Sequence, residues 1–154
     1  TQKDYTKISK IIRAMRTIIF TLFISFSALF SAQSQENKKI TLTVNISGLT
    51  SSNGTLLLGL YNQKDTFLKV QFKSAFVAIA NNKAKHTFKN LPKGTYAVSF
   101  VHDENNNKKM DTNFFGIPKE AYGCSNNARG YMGPPAYDDA KFFLGESKEI
   151  NIAI

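Results

Sequence analysis

The sequence predicts an all-β fold: a single antiparallel β-sandwich of about seven strands carrying one long ordered loop. Three observations lead there. Apolar residues alternate with period two in several short segments, turns rich in Gly, Asn and Pro separate those segments, and no stretch carries a convincing amphipathic-helix pattern. With 154 residues, 42% of them hydrophobic and 20% charged, the chain supports one ordinary domain with a short appendage and is no disordered polyelectrolyte.

The elements follow in order. In residues 39–47, Ile40, Leu42, Val44 and Ile46 share one face while Thr41, Thr43 and Asn45 share the other, the pattern of a half-buried strand. The Ser- and Asn-rich segment 48–54 reads as a turn, and residues 55–61 as a more buried strand. Residues 72–80 and 85–91 flank Asn81-Asn82-Lys83 and read as a hairpin. Pro92-Lys93-Gly94 then turns the chain into a strand over 95–102. Residues 141–144 and 149–154 complete the set, the last with Ile150, Ile152 and Ile154 at alternate positions. A short helical turn is allowed near residues 65–70.

Ahead of this domain, residues 1–34 read as a secretory signal peptide. Lys3, Lys7, Lys10, Arg13 and Arg16 precede an apolar run over 18–32, and Ala32-Gln33-Ser34 presents a small-x-small exit. Met15 stands just before that run, so residues before it read as an upstream over-extension, and 35–154 is taken as the folded domain. The run falls short of the roughly 20 apolar residues needed to cross a bilayer, so no membrane span is expected in the mature form. The protein is therefore expected to be exported to the periplasm, the cell surface or beyond.

The formal net charge is +9, but residues 1–34 carry five Lys/Arg and one Asp. That leaves 15 basic and ten acidic residues in the domain, with the lysines scattered rather than striped, so a nucleic-acid partner is not expected. The single cysteine excludes an intramolecular disulfide and any multi-cysteine zinc site.

The long segment 103–140 carries the functional expectation. Loops of this length are usually functional or disordered. This one holds Met110, Phe114, Phe115, Ile117, Tyr122, Tyr131 and Tyr137 and three of the four prolines, so something must order it: aromatic packing or a cation. Asp103, Asn105, Asn107 and Asp111 fall at positions 1, 3, 5 and 9 of a calcium-loop pattern, with the Lys109 backbone carbonyl at position 7. Oxygens two residues apart in a tight turn converge on one point, which is what calcium needs. Lys108 stands where such loops use glycine, and Phe114 where they close with glutamate; Glu120, Asp138 or Asp139 are the substitutes available. The competing reading is a metal-free network of Asx turns. Calcium is the one cofactor to be weighed; no other is expected.

Other chemistry is weaker. His102 beside Asp103 suits a general base, but no nucleophile elbow accompanies it, so a structural histidine and no enzymatic activity are expected. Cys124 reads as a small buried hydrophobe. Tyr122, Tyr131 and Tyr137 offer a sugar-stacking platform, against packing within the loop itself.

Leu91-Pro92-Lys93-Gly94-Thr95-Tyr96-Ala97, His102-Asp103-Glu104-Asn105 and the run from Asp111 to Glu120 resemble one bacterial family. So do Tyr122-Gly123 with Ser125-Asn126-Asn127-Ala128, and Gly133-Pro134-Pro135 with Tyr137, Asp139 and Ala140. The pattern is similar to the exported proteins grouped as domain of unknown function 2141, over about residues 40–154. The resemblance implies a bacterial protein with a leader and no established activity. Lys108 and Cys124 depart from its pattern, where glycine and an aromatic are usual. The Leu-Pro-x-Gly-x-Tyr turn also resembles a hairpin of transthyretin-like and surface-protein sandwich modules, which implies an immunoglobulin- or transthyretin-like fold and no function. The leading expectation is an exported, non-catalytic protein with an unidentified protein or glycan partner, ahead of a ligand-binding accessory module and well ahead of a hydrolase.

Overall fold

The computed structural model describes residues 40–131 and 133–154, together with Arg13 and Met15. Apart from those two residues, the proposed signal peptide lies outside the described residues. No helix among the described residues is long and apolar enough to cross a membrane.

Among the described residues eight strands form: β1 (Ile40–Ser47), β2 (Thr55–Tyr61), β3 (Lys73–Ala78), β4 (Lys83–Leu91), β5 (Gly94–Asp103), β6 (Tyr122–Cys124), β7 (Phe142–Leu144) and β8 (Lys148–Ala153). They build two sheets, one ordered β4-β1-β8 and one ordered β3-β2-β5-β6, with β7 paired to the start of β5. The fold is an all-β sandwich. One pair departs from the antiparallel expectation: β8 lies parallel to β1, with Val44 opposite Ile150 and Ile46 opposite Ile152.

The alternation in β1 places Ile40, Leu42, Val44 and Ile46 in the core, each at most 2% exposed. Leu56, Leu58 and Leu60 of β2 and Tyr96, Val98 and Phe100 of β5 face them from the other sheet. The Tyr96 hydroxyl donates to the Pro92 carbonyl at 2.8 Å, pinning the turn that starts β5. Such a tyrosine, bonded back to the chain a few residues upstream, fixes a corner in sandwich folds.

The expected hairpin at residues 81–83 resolves differently. Ala80 and Lys83 exchange both backbone hydrogen bonds around Asn81 and Asn82, which both have positive φ. That is a tight two-residue turn. The strands it joins, however, belong to different sheets: β3 pairs with β2, and β4 with β1. The turn therefore carries the chain across the sandwich.

A second cluster, Tyr61, Phe67, Ala97, Cys124, Tyr137 and Ala140, is separate from the main core. It draws together the 64–70 turn and a one-turn helix, Tyr137–Ala140. Buried Ser125 locks this layer, accepting from Val98 N at 2.9 Å and donating to the Ala140 carbonyl at 2.6 Å.

The 103–140 segment is thus not one loop. β6 returns to pair with β5, Tyr122 standing opposite Val101, and His102 N donates to the Ala121 carbonyl. The irregular excursion narrows to residues 104–121, leaving and re-entering the same end of the β2-β5-β6 sheet.

Candidate functional site

The root of the excursion is built on Asp103, the last residue of β5 and only 1% exposed. Its carboxylate accepts from Asn107 N at 3.0 Å and Lys108 N at 2.7 Å. Asn105 Oδ1 accepts from Asn107 N, and Asn107 Oδ1 accepts from Lys109 N, a succession of Asx turns. The side-chain amides of Asn105 and Asn107 donate to the two oxygens of Asp111, at 2.7 and 2.9 Å. Buried Glu120 closes the circuit, accepting from Glu104 N and Asp111 N. Asp103, Asn105, Asn107 and Asp111 are therefore brought together as the spacing implied, and Lys109 joins them through its amide.

Of the three substitute carboxylates, only Glu120 reaches this cluster. Asp138 instead pairs with Lys64 and Lys141. Those two ammonium groups draw its carboxyl down to about 2. No group of three or more His, Cys, Asp or Glu able to hold a metal ion occurs among the described residues, so a cation here would rely on asparagine and backbone oxygens as well. In the arrangement described, the carboxylate oxygens of Asp103, Asp111 and Glu120 already accept N–H groups, so the turn closes as an Asx network.

The sheet supplies the floor. Gly54, at φ +75°, lies against Asp103 so closely that a Cβ would sit 2.0 Å from its carbonyl oxygen. Fully buried His102 points its Nε2 at the Asn53 carbonyl, 2.7 Å away. A carbonyl can only accept, so Nε2 carries the proton. Nδ1 is left without a hydrogen-bond partner, 3.6 Å from Glu104 Oε1. Thr55 donates to Asn106 Oδ1 at 2.7 Å, tying β2 to the turn.

Above the root stands a small hairpin. Thr112 bridges Pro118, Asn113 N donates to the Ile117 carbonyl, and Lys119 N donates to the Asp111 carbonyl. Gly116 N returns to the Asn113 carbonyl, and Asn113 Oδ1 accepts from Phe115 N and Ile117 N. Gly116 has φ +76°, as a three-residue hairpin loop requires. The result is a well-bonded tip that leaves Phe114 97% and Phe115 81% exposed. Among the described residues their only ring contact is with each other, edge to face at 5.5 Å.

A family model described as an uncharacterized protein conserved in bacteria matches residues 44–152. The chain belongs to this family, DUF2141. Comparison with curated proteins and with solved structures returned no match. The matched span of this DUF2141 chain contains β2 to β7, the second half of β1, all but the last residue of β8, and the whole 104–121 excursion.

The expectation that the loop's bulky residues pack against one another is corrected. Of the seven, only Tyr137 is buried, against Phe67; Met110, Phe114, Phe115, Ile117, Tyr122 and Tyr131 are exposed. Polar bonding from Asp and Asn orders the segment instead, because short side chains reach backbone amides that a core cannot satisfy. No ring contact joins Tyr122, Tyr131 and Tyr137 among the described residues. Cys124 is buried as expected, and burial raises its thiol pKa. Burial lowers the pKa of His86, whose ring packs edge-on against Phe88. Sequence reasoning counted Phe114 and Phe115 among the bulky residues of the loop and read Gly54 as part of a turn; it missed the exposure of the pair and the close approach of Gly54 to Asp103. Adjacent phenylalanines next to a Gly at the end of a polar run were the available signal.

Proposed function

We propose that this DUF2141 chain is an exported, non-catalytic β-sandwich protein whose 104–121 excursion presents a binding surface, with calcium reinforcing the Asp/Asn turn beneath it. The exposure of Phe114 and Phe115 on a tip held by five hydrogen bonds carries this reading. Exposed bulky apolar groups on an ordered support mark interaction sites, since nothing in the fold gains from leaving them in water. Export is supported by the basic start, apolar run and small-x-small exit of residues 1–34. The non-catalytic assignment is supported by the burial of both His102 and Cys124.

Calcium would have to displace the Asn105 and Asn107 amides from Asp111, so its affinity belongs to the weak range of extracellular modules, on the order of 10⁻⁴–10⁻³ M. Thermal unfolding in excess chelator and across a calcium titration tests this part. At 100 times its dissociation constant, the ion adds about 2.7 kcal/mol, several degrees for such a domain. The shift is expected to be lost in Asp111→Ala; equal melting with and without calcium removes the metal from the reading. The binding surface is tested in a bacterial host. Wild type should be retained in the cell-envelope fraction, and Phe114→Ala/Phe115→Ala released from it with an unchanged melting temperature. Equal retention of both would overturn the display role.

A further inference from the structure

We infer that the hairpin tip at residues 113–117 is a wedge for the interface of an anionic phospholipid bilayer, which names the partner of the binding surface proposed above and rests on that reading. The shape is the first argument. Phe114, Phe115 and Ile117 project from the convex end of a hairpin, and their exposures of 97%, 81% and 58% leave them free to enter a soft apolar layer. A lipid interface accepts a convex apolar tip without a matching pocket, and the gain scales with the apolar area buried.

Rigidity is the second. The tip is closed by backbone bonds and by Asn113, so inserting it orders little that is not already ordered.

Charge is the third. Lys108, Lys109 and Lys119 stand exposed at the root of the hairpin, and none forms an ion pair among the described residues. Of the nearby acids, Asp103 and Glu120 are buried on backbone amides, Asp111 is held by two asparagine amides, and Glu104 alone keeps an exposed carboxylate, turned toward the Thr50 and Ser51 hydroxyls. The excursion therefore exposes three cations and one carboxylate along with its apolar tip. Lysine stems can lie along the apolar layer while their ammonium groups reach anionic headgroups.

The test uses the processed chain, purified from a bacterial host after export so that the apolar run of residues 18–32 is gone, and co-sedimentation with two kinds of vesicle: phosphatidylcholine alone, and equal parts phosphatidylcholine and phosphatidylglycerol. Wild type is expected to partition onto the anionic vesicles, less so as salt rises. Phe114→Ala/Phe115→Ala should lower that partitioning by about tenfold per ring, with melting unchanged. Phe114→Leu/Phe115→Leu should retain it, which separates lost apolarity from lost structure. Lys108→Gln, Lys109→Gln and Lys119→Gln should each weaken it about fivefold.

Absence of binding to either vesicle, or binding untouched by the double alanine variant, overturns the proposal. If vesicles fail while envelope retention still depends on Phe114 and Phe115, the occupant is a protein or glycan and the display reading survives alone. If retention is also independent of the two rings, both readings fall.

Discussion

Gly54 and Gly116 both adopt positive φ, yet they should respond differently to alanine. At Gly116 a Cβ meets nothing within 4 Å, so Gly116→Ala carries only backbone strain, about 1 kcal/mol. At Gly54 the same methyl collides with the Asp103 carbonyl and the Glu104 backbone, so strain and overpacking combine to about 2–4 kcal/mol. Urea unfolding of the two variants should rank them in that order. Asp138 gives a pH prediction. Lys141 and Lys64 hold its carboxyl at about 2 against an ordinary 3.8. A depressed folded-state value contributes stability above 3.8 that is lost as pH falls from 3.8 through about 2. Its solvent exposure makes the effect small. Melting curves of Asp138→Asn should therefore differ from wild type above this window and converge with it at the acid end.

Among elements, the strands and the excursion are held by different forces. Leu58 on β2 is buried in the main core, and Leu58→Ala should cost about 2–5 kcal/mol by leaving a cavity. The excursion has almost no such burial and depends on its carboxylates. Asp103→Ala strands the Lys108 N–H and leaves Asn107 N to Asn105 Oδ1 alone, and we expect a loss of roughly 2–3 kcal/mol. Asp111→Ala, on the more open side of the turn, should cost about 1 kcal/mol in chelator. Denaturant titration that placed Asp111→Ala above Asp103→Ala would contradict this division. The strands were legible because alternation along β1 and β8 reports directly which side faces a core, and the apolar run of β2 marks a strand covered on both faces. β6 was not, since three residues are too few to show a period and Gly123 adds no side chain to it. Its existence is decided by the partner, β5.

At the scale of the molecule, the chain separates a satisfied core from an unsatisfied surface. Removing both tip rings should leave the unfolding midpoint unchanged, because Phe114 and Phe115 stay 97% and 81% exposed and so bury little on folding, and calorimetry of the double alanine variant checks this. Neither the hydrophobic total nor the net charge of +9 reveals this separation. Residues 1–34, with five Lys/Arg and one Asp, contribute +4 of that net charge, and the lysines that matter to the excursion are three of the 15 basic residues in the rest.

By itself, the sequence determined the all-β class, the family and the positions of most strands, because period-two alternation and turn residues act locally. It also brought Asp103, Asn105, Asn107 and Asp111 to one turn, since oxygens two residues apart converge whatever surrounds them. Only the tertiary structure decided that β3 and β4 part into different sheets and that β8 runs parallel to β1. It alone selected Glu120 rather than Asp138 or Asp139 to close the turn, and it alone left Phe114 and Phe115 in solvent. Each of those outcomes depends on what stands opposite a residue in space, and spacing along a chain carries no record of that.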